Sequence, residues 1–179
     1  MRALKFSSII VALVLAGIGP RLSAAEKTLD DQVKDAIQLF RSDSTNVARL
    51  FDTAYGYAVL PSVGKGAAGI GAASGEGQVF EQGKLIGTCK MTQVTVGAQL
   101  GGQEYAEVIF FETKGALEGF QANEWAMSAG VNAVAAAESA SADAKYKNGV
   151  QVFTIAKSGL MFEASVGGQK FRFHPLSNK

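Results

Sequence analysis

The stretch AYGYAVLPSVGKGAAGIGAASGEGQVFEQGKLIG, residues 54–87, decides the fold of this chain. Together with the segment TVGAQLGGQ, residues 95–103, it holds 12 of the chain's 21 glycines, set among apolar and small residues. Glycine weakens the interior of a helix or strand by about 0.5–1 kcal/mol relative to alanine. So many glycines are therefore typical of a sheet that bends, bulges or brings backbones close together.

From residue 57 onward the apolar residues follow a period of two, which is typical of strands with one buried face. The run Val108–Phe111 is apolar throughout and predicts a strand covered on both faces. In the tail, Phe171 and Phe173 alternate with basic residues, so the aromatic rings should face inward and the charges outward. The predicted strands are 57–63, ending near Pro61; 67–73 and 78–81, on either side of Gly75-Glu76-Gly77; 94–100; 108–111; and a hairpin of 150–156 with 160–166. Turns are predicted at Gln82-Gly83 and Asn148-Gly149, and helix and strand both remain open for 125–144.

Three helices are predicted around this sheet. Apolar residues recur at helical spacing from Leu29 to Phe40, which predicts an amphipathic helix over 29–41 with Thr28 as its N-cap. A second short helix is predicted over 46–53, and a third after Thr113, ending at Phe120. The fold class is therefore α+β: a single domain with a strongly bent antiparallel β-sheet or barrel-like core, an N-terminal amphipathic helix and one or two further short helices.

Residues 1–25 have the features of a cleaved secretory signal peptide. Arg2 and Lys5 precede an apolar stretch of 10 residues, and small residues at 23–25 form a cleavage site after Ala25. We therefore expect a domain of residues 26–179 in a periplasmic or secreted protein. The domain has 14 basic and 16 acidic residues, a formal charge of −2. This near-neutral balance argues against nucleic acid as a partner.

The charges are distributed unevenly along the domain. Residues 76–143 hold nine acidic and three basic side chains, whereas residues 145–179 hold six basic ones and a single acid, Glu163. The basic tail could meet an anionic lipid or an acidic partner. It could equally fold back against the acidic middle of the chain.

The residue types needed for catalysis are scarce. Gly64–Gly69 matches the dinucleotide pattern G-x-G-x-x-G, but more glycines follow where a helix should begin, and the expected acidic residue is missing. His174 is the only histidine and is interpreted as a surface residue, and Cys89 is the only cysteine and is interpreted as a small buried hydrophobe. Glu104 and Glu107 could act as paired carboxylates, although solvated charges at a strand edge are favoured. We predict no enzyme activity, no cofactor and no metal site.

The order in which several segments follow one another resembles that of a known protein family. AYGYAVLPSVGKGAAGIGAASGEGQVF is followed by EQGKLIG, TQVTVGAQLGGQEYAEVIFFET, GALEGF, an Ala- and Gly-rich stretch and IAKSGLMFEASVGGQKFRF. Over residues 46–173 this succession resembles the SYLF-domain family, through the Gly-Lys-Gly segment, the strand with Gly97, Gln99 and Gly101, and the terminal Ser-Gly-Leu hairpin. The chain departs from the family pattern at Lys157-Ser158-Gly159, where the lysine of the hairpin tip lies one position earlier.

The resemblance implies a non-catalytic α+β domain. Eukaryotic relatives bind phosphoinositides and other acidic lipids, some bind actin filaments, and bacterial relatives are exported. We therefore expect a lipid-binding module of the cell envelope that contacts an anionic lipid or membrane surface; predicted export makes actin an improbable partner. The alternative is a structural or protein-interaction domain of the envelope, with an envelope protein as partner and no specific lipid. The candidate lipid-binding residues are cations of the glycine-rich turn and the basic tail: Lys65, Lys145, Lys147, Lys157, Lys170 and Arg172.

Overall fold

The computed structural model describes residues 27–65, 72–94, 104–122, 125–126, 134–135, 146–158 and 168–177. The helices are α1 Leu29–Asp43, α2 Thr45–Thr53 and α3 Lys114–Gln121. The strands are β1 Gly56–Lys65, β2 Ala72–Glu81, β3 Lys84–Val94, β4 Glu104–Phe111, β5 Trp125–Ala126, β6 Val134–Ala135, β7 Val150–Ser158 and β8 Gln169–Pro175. They form a sheet in the order β5-β8-β3-β2-β1-β4-β7-β6. All neighbouring strands are antiparallel except β6 and β7, which are parallel.

The sheet is strongly curled. β4 and β8 are separated by three strands in the sheet order, which in a flat sheet would place them about 19 Å apart. The Gln169 Nε2 atom on β8 nevertheless donates to Glu107 Oε2 on β4 at 2.8 Å. The sheet therefore folds its inner face upon itself, and the predicted α+β domain with a strongly bent sheet is confirmed.

Glycines allow this curvature on the inner face. A Cβ atom at Gly77 would lie 2.3 Å from the carbonyl oxygen of Val59, and one at Gly75 would lie 2.9 Å from the carbonyl oxygen of Ser62. The pairing of β1 with both its neighbours also shifts register around Pro61. The shift lies between Val59 and Ser62 in the pairing with β2, and between Leu60 and Val63 in the pairing with β4. The bulge and the missing side chains let β2 approach β1 closely at the bend.

Two apolar cores lie on opposite faces of the sheet. The inner core is closed by α3, whose Leu117 and Phe120 pack with Phe111 of β4 and Phe171 of β8. The outer core lies under α1 and α2 and is built around Phe40, Phe51 and Phe110 together with residues of β1, β4 and β7. Between them, residues 105–111 of β4 are buried on both faces, as the continuous apolar run predicted.

The helices begin where the sequence predicts them. The side chains of Thr28, Ser44 and Thr113 cap α1, α2 and α3 by accepting backbone N–H groups of the first turn. Asp30 and Asp31 lie in the first turn of α1, where the helix dipole favours negative charge. No helix among the described residues is long and apolar enough to cross a membrane.

Several predicted strand boundaries are wrong. β1 continues through Pro61 to Lys65, because the bulge absorbs the residue that lacks an N–H donor. β2 is one strand through Gly75-Glu76-Gly77, and β3, which the sequence analysis missed, fills residues 84–94. The turns at Gln82-Gly83 and Asn148-Gly149 are confirmed and have positive φ. Residues 67–71, 95–100 and 160–166 lie outside the described residues. Of residues 125–144 the structure describes 125–126 and 134–135, which form the short strands β5 and β6.

Candidate functional site

A cationic surface lies on the outer face of β3 and β8. The two strands are antiparallel, and their register places Lys90 opposite Arg172, Thr92 opposite Lys170 and Thr88 opposite His174. Residues directly opposite one another share a face and lie about 5 Å apart. We call these six residues the β3–β8 surface.

Successive residues of β8 face the inner core and the solvent in turn, as predicted, and the solvent-facing ones form half of the β3–β8 surface. Phe171 is buried in the inner core and Phe173 packs against it, while Lys170, Arg172 and His174 are exposed. On β3, Cys89 and Met91 face the inner core while Lys90 and Thr92 are exposed. The inward aromatic rings and outward bases predicted for the tail are therefore confirmed.

The charge balance of the β3–β8 surface is positive. Lys90, Lys170 and Arg172 are three permanent cations, and Lys90 Nζ forms a salt bridge of 2.8 Å with Glu76 Oε1 on the neighbouring β2. That ion pair is solvent-exposed, so it constrains Lys90 only weakly. Within the described ranges no salt bridge involves Lys170. The surface therefore has a net charge of about +2 once Glu76 is counted.

The β3–β8 surface differs from the rest of the outer face because no described element covers it. Helix α1 contacts β1 and β2 and helix α2 contacts α1, and their apolar side chains pack on β1, β4 and β7. Five of the six residues of the β3–β8 surface are exposed, and Thr88 is half-buried. The described part of the molecule thus presents one face of two paired strands to solvent, with three cations on it.

The other predicted site residues are dispersed. Lys157, near the end of β7, lies with its Nζ atom 3.4 Å from Glu104 Oε1, so the tail meets the acidic middle of the chain at this point. Lys147 precedes β7 and lies at the opposite end of that strand from Lys157. Lys65 ends β1, and its side chain lies outside the described part, as does all of Lys145. The structure therefore brings Lys170 and Arg172 together but does not place Lys147 with them.

The sequence does not predict that Lys90 and His174 lie on the β3–β8 surface. Both residues join the β3–β8 surface only because β8 pairs with β3, a strand far away in the chain. The interpretation of His174 as a surface residue is correct, and so is that of Cys89 as a buried one. No local pattern around Lys90 indicates its partner, so only the register could reveal it.

One sequence interpretation is wrong for Glu107. Glu104 is an exposed edge charge as favoured, and hydrogen bonding from Ser62 together with Lys157 lowers the pKa of its carboxyl. Glu107 instead is fully buried on the inner face, and burial raises the pKa of its carboxyl to about 7. The two carboxylates point to opposite faces of β4, because residues three apart in a strand alternate sides. They do not form a catalytic pair.

The described groups around Glu107 provide neither an activated thiol nor a metal site. Desolvation followed by the charge of Glu107 raises the pKa of the Cys89 thiol to about 12, and the same two causes raise the pKa of the Tyr105 phenol. A thiol held neutral in this way is a poor nucleophile. In the described ranges no group of three or more His, Cys, Asp or Glu side chains could hold a metal ion.

Comparisons with known proteins relate this chain to one family model and to a bacterial protein. The family model Ysc84, described as "Las17-binding protein actin regulator", matches residues 92–179. Beta cell expansion factor A from Aeromonas veronii is 34% identical over 136 residues, which make up 75% of this chain and 51% of that protein. The chain thus spans about half the length of this curated relative. The family match includes β4, α3 and β8, with Glu107, Lys170 and Arg172.

Proposed function

Since the chain belongs to the SYLF family, to which the Ysc84 model corresponds, we propose that it is a non-enzymatic module whose β3–β8 surface binds acidic phospholipid headgroups. The family assignment agrees with the resemblance carried by the sequence. The lipid ligand and the location in the cell envelope are parts of the proposal, and predicted export favours a membrane surface over cytoskeletal actin.

One observation carries the proposal. Lys90 on β3 lies close to Lys170 and Arg172 on the neighbouring strand β8, and all three side chains are exposed on the same face. A basic residue close to an anionic membrane contributes about 1 kcal/mol to binding. A net charge of two therefore contributes about 2 kcal/mol, or roughly 30-fold in partitioning onto anionic vesicles. Three cations on two paired strands can meet several phosphates at once.

The side chains on the β3–β8 surface suit phosphate chemistry. The guanidinium of Arg172 offers paired N–H donors that match two oxygens of one phosphate, while the ammonium groups of Lys90 and Lys170 act as point charges. Thr92 adds a hydroxyl donor opposite Lys170, and Thr88 adds another beyond the Lys90–Arg172 pair. A phosphate monoester or diester headgroup offers several oxygens that these donors and charges can bind together.

Vesicle flotation tests the proposal. The domain of residues 26–179 is mixed with neutral phosphatidylcholine vesicles or with vesicles containing phosphatidylglycerol or a phosphoinositide, at low and high salt. We expect binding to the anionic vesicles alone and its loss at high salt, because salt screens exposed charges beyond about 10 Å at 0.1 M. The double variant Lys170→Gln/Arg172→Gln should bind at least about 10-fold more weakly.

The matched control is Lys34→Gln/Lys84→Gln, which removes the same charge from exposed positions on α1 and at the start of β3. This variant should bind anionic vesicles as the unmodified domain does. Equal loss in both double variants would mean that net charge and not the β3–β8 surface controls binding. No binding to any anionic vesicle would overturn the lipid proposal and favour the envelope protein-interaction alternative.

A further inference from the structure

Glu107 and Gln169 connect two distant strands across the interior of the curled sheet. Gln169 Nε2 donates to Glu107 Oε2 at 2.8 Å and lies 3.5 Å from the hydroxyl oxygen of Tyr105. Glu107 and Gln169 are both 0% exposed, and the remaining side-chain oxygen of each has no hydrogen-bond partner among the described residues. A buried ionised carboxylate that is held by one neutral amide is strongly unfavourable.

The described groups that face Glu107 leave its charge uncompensated. Directly opposite it lie Leu60 on β1 and Thr154 on β7. The titratable groups facing it are Tyr105 on β4 and Cys89 on β3, and both become negative on losing a proton. The other buried inner-face side chains of β2, β8 and α3 are apolar or uncharged: Ala73, Val79, Gln169, Phe171, Leu117 and Phe120. No described cation faces the carboxyl.

We propose that Glu107 and Gln169 form a proton-sensitive clasp between β4 and β8, closed while Glu107 carries its proton and loosened when the proton is lost. The closed clasp keeps a neutral carboxyl and an amide inside the curl. The ionised carboxylate can regain water only if β8 and the inner face of β4 separate. The clasp therefore couples the curvature of the sheet to pH, which goes beyond the proposed lipid binding and does not depend on it.

The direction of the pH effect follows from proton linkage. The pKa of Glu107 is raised in the folded protein from 4.5 to about 7, so between these two values the folded state binds more protons than the unfolded one. Stability and clasp closure are therefore fully supported below about pH 4.5, and this contribution is lost as pH rises through about 7. An exposed carboxyl whose pKa is lowered, such as that of Glu104, has the opposite effect.

Amide hydrogen exchange measured by NMR on the domain of residues 26–179 tests the clasp. After correction for the intrinsic pH dependence of exchange, the amides of β8 should lose protection by more than about 10-fold between pH 5 and pH 8. The amides of α1, which lies on the other face, should change much less. In Glu107→Gln, which removes the titration but keeps the size of the side chain, β8 protection should no longer fall over this interval.

The matched control is Glu104→Gln, which changes the exposed carboxyl on the same strand. It should retain the pH-dependent loss of protection in β8. The proposal is wrong if Glu107→Gln and the unmodified domain lose protection in parallel. Should Glu107→Gln fail to fold, the carboxyl carbon resonance of Glu107 in the unmodified domain decides the matter: titration near pH 7 supports the clasp, and titration near pH 4.5 overturns it.

Discussion

Gly77 shows how a single residue controls the curvature of this sheet. It lies on β2, where an added Cβ would be 2.3 Å from Val59 O and 3.0 Å from Leu60 Cγ, both on β1. Real Cβ atoms do not come this close to a backbone oxygen, and the carbonyl cannot move without breaking the pairing of β1 with β2. The glycine is required there because two backbones approach each other, not because of its φ angle.

We expect Gly77→Ala to destabilise the domain by about 3 kcal/mol, because the added methyl must push β1 away from β2. The free energy of unfolding from urea denaturation measures this loss. Gly119→Ala is the control: Gly119 lies in the helix α3, and its added methyl would meet no atom within 4 Å. That variant should gain about 0.5–1 kcal/mol. Similar effects of the two substitutions would contradict the packing argument.

Glu107 is a second case in which one residue gains its properties from its position. The tetrapeptide Glu104-Tyr105-Ala106-Glu107 suggests two solvated edge charges, and only the first of them is exposed. β4 is covered on both faces, so alternation places Glu107 inside. Burial raises the pKa of its carboxyl, whereas hydrogen bonding from Ser62 lowers the pKa of the Glu104 carboxyl.

At the scale of elements, α3 closes the inner core. Leu117 and Phe120 are both fully buried, and Phe120 lies between Phe111 of β4 and Phe171 of β8. α3 has only eight residues, too few to be stable by itself in water, so it depends on this packing and on its cap. The cap is Thr113, whose Oγ1 accepts the backbone N–H of Ala116 at 3.3 Å.

We expect Thr113→Ala to lower the free energy of unfolding by about 1 kcal/mol, because it leaves the first turn of α3 without its side-chain acceptor. Thr113→Asp keeps an acceptor at the same place and should restore most of the loss. Urea denaturation of the three proteins measures the effect. If Thr113→Asp is as unstable as Thr113→Ala, the cap is not the reason for the loss.

The elements that depend on residues close together in the chain were predicted well. The three helices, the caps Thr28 and Thr113 and the turn at Gln82-Gly83 follow from spacing within a few residues, and the structure confirms them. β3 was missed because its residues combine glycine, lysine and threonine without a clear period. β2 was divided into two because Gly75 and Gly77 were interpreted as breaks, although their lack of side chains is what lets this strand pass close to β1.

At the scale of the whole molecule, curvature decides which residues meet. In the strand order β8 pairs with β3. The curl of the sheet also brings β8 close to β4 across the interior, where Gln169 contacts Glu107. The first contact creates the β3–β8 surface and the second creates the clasp. Both depend on β8, so a change that detached this strand should affect the proposed lipid binding and the proposed pH response together.

Export would move the whole chain, and it remains a prediction from residues 1–25. When the full-length protein is expressed with its first 25 residues in a bacterium that has a periplasm, we expect the periplasmic or secreted product to begin at Glu26. Intact-mass spectrometry identifies the new N-terminus. Ala25→Arg, which removes the small residue at the cleavage site, should leave an unprocessed chain. A full-length product in the cytoplasmic fraction would contradict the prediction.

The sequence by itself determined the resemblance to the SYLF family, the α+β class, the three helices with the caps Thr28 and Thr113, and the inward aromatics and outward bases of β8. These features depend on residue type and on spacing along a short piece of chain. Only the tertiary structure decided that Lys90 joins Lys170 and Arg172, that Lys147 lies apart from them, and that Glu107 is buried against Gln169. The physical reason is that strand register and sheet curvature join residues far apart in the chain, and no local pattern records which strands will pair.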